Sequence, residues 1–171
     1  ITAKYDFPFE RDCGITEVHN EGGNMFATMA LWSVLRQFRR ADADPRESDR
    51  FFIARAFREA APAMEKFYSC INEFIFENIA QRTYMEMEDY AIIGVVALRT
   101  PSKKSGLFRK MSVLDELDGY IREAQAAVKT PLAAKALDAF VNGFEGGDRW
   151  CYRAWSDEAR RRAAEHKWPE K

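Results

Sequence analysis

Between positions 64 and 79 the chain places Met64, Phe67, Tyr68, Ile71, Phe74, Ile75 and Ile79 at steps of three and four residues. At about 3.6 residues per turn, those steps put all seven side chains on one stripe of an α-helix. A stripe that broad and that aromatic has to be covered, so this chain must fold by packing helices on one another.

The flanking sequence repeats the pattern. Gly22, Gly23 and Asn24 break the chain and predict a helix over 25–41, with Asn24 as its N-cap. Ala27, Leu31, Val34, Leu35 and Phe38 share one face of it, and Met25, Met29 and Trp32 widen that face. The expectation is a helix that is central or sandwiched between layers, with Arg36, Arg39 and Arg40 complementing the dipole at its C-terminal end. Asp44-Pro45-Arg46-Glu47 is a second start signal: Asp44 caps, Pro45 needs no N–H donor there, and Glu47 can reach back. Phe51, Phe52, Ala54 and Phe57 follow, and Pro62 predicts a kink or break before the Met64–Ile79 helix.

Further on, Tyr90–Leu98 reads as a buried helix rather than a strand, with acid before it and base after it. Thr100-Pro101 ends that helix, and Ser102–Met111 reads as a basic loop. Ser112 with Asp115 forms a capping box for a helix carrying Val113, Leu117, Tyr120, Ile121, Ala124 and Val128 on one face. Thr130-Pro131 opens another, with Ala133, Ala136, Leu137, Phe140, Val141 and Phe144 on its stripe and glycines at 143, 146 and 147 to close it. A last helix, about 148–167, holds Trp150, Tyr152 and Trp155, then Asp157–Arg161 and Glu158–Arg162 pairs at four-residue spacing. The fold expected is all-α: an irregular bundle of about six helices over 25–147, a C-terminal helix and tail over 148–171, and an extended aromatic arm over 1–24.

Chemistry is harder to find. The two histidines, His19 and His166, lack a glutamate three residues before them, so neither supplies a di-iron Glu-x-x-His pair. Cys13, Cys70 and Cys151 include no Cys-x-x-Cys pair for zinc. No Gly-x-Ser-x-Gly elbow occurs, and the glycine clusters at 22–23 and 146–147 match neither a dinucleotide fingerprint nor a Walker loop. The sequence therefore predicts no catalytic, cofactor-binding or metal-binding residue. One carboxylate group stands out: Glu73 and Glu77 on one helix face, followed by Glu86, Glu88 and Asp89, with Tyr84 and Tyr90. Such a group could line a polar pocket, although a solvated helix face with a dipole-matched helix start accounts for it better.

The 26 basic and 27 acidic residues give a formal net charge of -1, which argues against direct nucleic-acid binding. No apolar run approaches the roughly 20 residues that span a bilayer. Three widely spaced cysteines suit a reducing compartment. Aromatic residues make up 13% of the chain, and rings on segments outside the bundle need cover, either on the bundle itself or on a neighbouring chain. Tyr5, Phe7 and Phe9 in the arm, with Trp150, Tyr152 and Trp155 near the C-terminus, are the residues expected to meet partner subunits.

The function expected is that of a non-catalytic accessory subunit of a larger multi-protein assembly. A start at Ile1 fits either a processed precursor or a trimmed chain; if it reflects removal of a targeting segment, a mitochondrial energy-converting complex (respiratory chain or ATP synthase) is the expected setting. Such a chain could lie beside a membrane through its complex without crossing it. A small helical enzyme or ligand-binding bundle, with its pocket near Glu73, Glu77 and Tyr84, is the alternative. A free adaptor for a partner helix is a third reading.

Overall fold

The computed structural model describes residues 27–40, 42–78, 90–105, 111–144 and 151–165. Among them the chain forms seven α-helices and one 3-10 turn: α1 (Ala27–Arg39), α2 (Pro45–Phe57), the turn Arg58–Ala60, α3 (Ala61–Asn78), α4 (Tyr90–Arg99), α5 (Val113–Ala127), α6 (Pro131–Asn142) and α7 (Tyr152–Glu165). No strand is present among the described residues, and Tyr90–Leu98 is helical as expected. A lone antiparallel bridge joins Pro101 to Ser112. No described helix is long and apolar enough to cross a membrane.

The 64–79 stripe builds the centre. Met64, Phe67, Tyr68, Ile71 and Phe74 of α3 are all buried, while Ile79 lies outside the described residues. Phe67 is fully covered, and its ring meets Phe140 of α6 at 5.4 Å and Tyr152 of α7 at 5.3 Å, both edge to face. Phe57 of α2 meets Phe140 at 5.8 Å in the same arrangement. Edge-to-face contact sets the positive rim of one ring against the negative face of another, so four helices are keyed together by ring geometry as well as by buried area. α5 packs along α3, and α7 lies against α4.

The helix signals mostly hold, with instructive departures. Asp44 caps α2 by accepting from the Arg46 N–H at 2.8 Å, but the expected return bond from Glu47 is not part of that cap. The Ser112–Asp115 capping box opens α5 as predicted. The break after α2 comes earlier than Pro62: the chain turns at Arg58, whose φ is 48° and ψ −111°. Pro62 instead occupies the first turn of α3, where a missing N–H costs nothing. At the end of α6, Gly143 takes φ 80°, and Phe144, expected on the buried stripe, is 72% exposed. The positive φ swings the chain out of helical register, so a stripe counted through Gly143 no longer applies.

α1 departs most. Its buried line is Met29, Ser33 and Gln37, whereas Trp32 and Leu35 stand 40% and 54% exposed. Ser33 donates to the carbonyl of Pro45 at 3.3 Å, so a polar residue turns inward to hold the α1–α2 hairpin. The helix is exposed on this side, and the side chains of Ala27, Leu31, Val34 and Phe38, expected on the same core face, lie outside those described. Asn24 and Met25 lie outside the described residues.

Candidate functional site

Three regions carry the polar and exposed aromatic groups. The first is a groove of about 1040 Å³ along the outer side of α3, walled by α2, the 100–104 loop and the start of α5. The expected carboxylates Glu73 and Glu77 do face it, but neither is unpaired. Lys103 donates to Glu73 at 2.5 Å and to Glu77 at 2.8 Å, so one cation closes both. These bonds raise the Lys103 ammonium above its ordinary value, with Glu73 the larger cause. All three side chains are about half exposed or more, so the contact is solvent-screened and contributes little to stability. Tyr84, Glu86, Glu88 and Asp89 lie outside the described residues, and the Tyr90 side chain is likewise not described.

At the groove's inner end Glu116 is buried. It accepts from Ser102, from Tyr120 at 2.6 Å, and pairs with Lys104 at 3.2 Å. Lys104 also bonds the Tyr120 hydroxyl and sits 4.5 Å from the centre of its ring. Burial opposes ionisation of Glu116, yet the bonds from Ser102, Tyr120 and Lys104 outweigh it and hold the carboxyl below its ordinary range. Ser102 Oγ in turn accepts from the Lys104 backbone N–H at 3.0 Å, so the cluster ties the 100–104 loop to α5. Cys70 lines the same groove, and burial, reinforced by the Glu116 charge, pushes its thiol up to about 12. A thiol held that far up is a poor nucleophile at neutral pH. The Glu73, Glu77 and Glu116 carboxylates are thus satisfied, while Asp49, on the α2 wall, keeps its buried Oδ1 without a hydrogen-bond donor.

The second region fixes the C-terminal helix. Tyr152 donates to Asp118 at 2.6 Å, and Arg160 bridges Asp118 at 2.6 Å and Asp115 at 3.1 Å. Tyr152 and Trp155, both expected at a partner interface, are 4% and 7% exposed and belong to the chain's own core. That expectation is corrected: their spacing over one turn of α7, with Ser156 and Ala159, forms a stripe that packs on α4 and α6. Trp150, Tyr5, Phe7 and Phe9 lie outside the described residues. Of the two predicted ion pairs on α7, Glu158–Arg162 is present at 2.7 Å, while Arg161 pairs with Glu158 and Glu165 instead of Asp157. Hydrogen bonds from Arg161 and then Arg162 depress the Glu158 carboxyl to about 2.

The third region was missed in the sequence. Trp32, Leu35, Arg36 and Arg39 recur at three- and four-residue steps along α1, and each is exposed or half-buried. Across from them, Phe51 of α2 is 42% exposed and stacks on Trp32 with ring centres 6.1 Å apart. Arg36 and Arg55 both lie over the Phe51 ring, at 4.8 and 5.4 Å. Cation–π contact holds both guanidinium groups over the aromatic ring. One nitrogen of Arg36, Nη1, is buried there without a hydrogen-bond acceptor. The signal was available: Trp-x-x-Leu-Arg-x-x-Arg is itself a helical stripe, but its apolar half had been counted towards the core.

Among the described residues, no group of three or more His, Cys, Asp or Glu side chains is placed to hold a metal ion. No protein-family model, no curated protein and no solved structure matches this chain.

Proposed function

We propose that this chain is a helical, non-catalytic subunit of a multi-protein assembly, and that the α1–α2 hairpin is its docking element. The observation behind the reading is the exposure of Trp32, Leu35 and Phe51, with Trp32 stacked on Phe51 and two arginines over the Phe51 ring. Tryptophan and arginine dominate the energetic centres of protein interfaces, because each joins a large flat surface to a hydrogen-bonding or charged edge. Leaving such rings in water forfeits burial that a partner would recover. The α3 groove lends some support from the other side, since Glu73, Glu77 and Glu116 are already paired with lysines of the chain.

The setting we favour is a mitochondrial energy-converting complex, in keeping with the nearly neutral charge that sets the chain apart from RNA-facing proteins. Affinity purification of the tagged full-length chain from its own cells, after organelle fractionation, tests both points. Stoichiometric companions in the mitochondrial fraction are expected, and Trp32→Ala with Phe51→Ala should release them. A chain recovered alone, or companions indifferent to both substitutions, would overturn the reading.

A second reading is favoured by one observation, the size of the groove beside α3. At about 1040 Å³ it is large enough to hold a small polar ligand that displaces Lys103 from Glu73 and Glu77. On that reading the chain is a ligand-binding bundle, and Lys103→Ala would change its affinity for small molecules while leaving its companions in place.

A further inference from the structure

The α1–α2 face is basic in a way the whole chain is not. α1 holds Arg36 and Arg39 and no acidic residue, and residues 50–58 hold Arg50, Arg55 and Arg58, again with none. On the exposed stripes themselves, Arg36, Arg39 and Arg55 are accompanied by one carboxylate, Glu47, a turn before Phe51. Elsewhere many of the described charges meet a partner of opposite sign: Lys66 with Glu123, Lys103 with Glu73 and Glu77, Lys104 with Glu116, Arg160 with Asp115 and Asp118. Among the described residues no carboxylate pairs with Arg36, Arg39 or Arg55; Arg36 and Arg55 lie on a ring instead.

We infer that this face receives an acidic amphipathic helix from another protein, an inference that rests on the subunit reading above. Trp32, Leu35 and Phe51 form a strip along the hairpin suited to apolar residues at three- and four-residue steps. Arg36, Arg39 and Arg55 border that strip, where carboxylates flanking the partner's apolar stripe would meet them. The Arg36 and Arg55 guanidinium groups, already in contact with the Phe51 ring, lose less freedom on pairing, and they offer forked donors matched to carboxylates. Charge complementarity therefore selects an acidic helix over a basic one, and over a second copy of this chain, which would set arginine against arginine.

The test uses the full-length tagged chain in its own cells, with the photo-crosslinking residue benzoylphenylalanine in place of Leu35. The crosslinked peptide is then sequenced by mass spectrometry. The expected product is a segment of a different protein with apolar residues at helical spacing and an excess of Asp and Glu. Reversing the two exposed arginines, Arg39→Glu with Arg55→Glu, should lower the crosslink yield about tenfold. Reversing the exposed Arg122 of α5 should leave it unchanged. Helical content by circular dichroism guards against misfolding; if the double variant fails to fold, the composition of the crosslinked peptide decides alone. A crosslink to a basic or neutral segment, to this chain itself, to a second copy or to nucleic acid overturns the inference. So does no crosslink, or a yield indifferent to the double reversal in a folded chain. Companions that still co-purify while position 35 touches none of them would sink this inference and leave the subunit reading standing. A chain recovered alone would end both.

Discussion

Gly94 of α4 and Ala159 of α7 meet so closely that a Cβ on Gly94 would lie 2.5 Å from the Ala159 Cβ. The Trp155 ring closes the same notch at 3.3 Å. No real pair of methyl groups sits that near, so the glycine is what lets α7 lie flat on α4. Ala159 is fully buried, and Trp155 and Tyr152 reach the core from the same helix. The crossing of α4 and α7 thus decides whether the C-terminal aromatic rings are inside.

Gly94→Ala is therefore expected to destabilise the fold. Overpacking costs about 1–3 kcal/mol, against which alanine returns at most about 1 kcal/mol of helix propensity. A net loss of roughly 1–2 kcal/mol should appear in urea unfolding, with Trp fluorescence shifting as Trp155 is displaced. Adding Ala159→Gly should recover part of that loss. A Gly94→Ala chain as stable as the parent would mean that the two helices do not touch there.

Asp118 and Tyr152 make a second prediction about the same helix. Asp118→Ala removes the acceptor of a buried hydroxyl and one of the two carboxylates on Arg160, and should cost about 1–3 kcal/mol. Tyr152→Phe keeps the ring and the Asp118–Arg160 pair, so it should cost less, about 0.5–1.5 kcal/mol. The reverse order in chemical denaturation would show that the hydroxyl, not the carboxylate, organises this corner.

Acid should loosen the loop before α5. Burial opposes ionisation of both Glu116 and Asp115, but bonds from Ser102, Tyr120 and Lys104, and from Ser112 and Arg160, depress the two carboxyls in the fold. A depressed carboxyl contributes stability that is fully present above its unfolded value, 4.5 for Glu116 and 3.8 for Asp115, and is lost as pH falls through the folded value. Stability should therefore decline as pH falls below about 4.5. Glu116→Gln should be less stable at neutral pH and show a shallower acid limb. Parallel acid limbs for parent and variant would rule out this assignment.

Arg58 holds φ 48° with ψ −111°, a backbone state that costs a side-chain-bearing residue about 1–3 kcal/mol. Glycine adopts it freely but gives up roughly 0.5–1 kcal/mol in unfolded-chain entropy. Arg58→Gly is expected to stabilise by about 0.5–1 kcal/mol on balance, read as a higher urea midpoint with an unchanged slope. Destabilisation would show that the turn between α2 and α3 is not strained.

The sequence disclosed most where local chemistry and packing agree. The Met64–Phe74 stripe, the Asp44 and Ser112 caps and the Thr130-Pro131 start all lie where spacing and cap residues put them. It disclosed least where a residue type serves two ends. Tyr152 and Trp155 on a mostly polar helix resemble interface rings, but the close crossing at Gly94 draws them inward. Trp32 and Leu35 resemble core residues, but Ser33 and Gln37 hold the inner side of α1 and turn them outward. Periodicity reports that a face exists; which face the neighbouring helices cover is decided by contacts distant in sequence. The pairing of Lys103 with Glu73 and Glu77 spans about thirty residues and left no local trace.

The central claim is that this chain works inside an assembly, held by the α1–α2 hairpin. Its most direct test is the mass of the native particle that carries the tagged full-length chain, taken by native mass spectrometry of gently extracted material. A particle several times the chain's own 19.8 kDa, with companions in fixed ratio that are lost in the Trp32→Ala, Phe51→Ala variant, is the predicted result. A single species at the mass of one chain would contradict it.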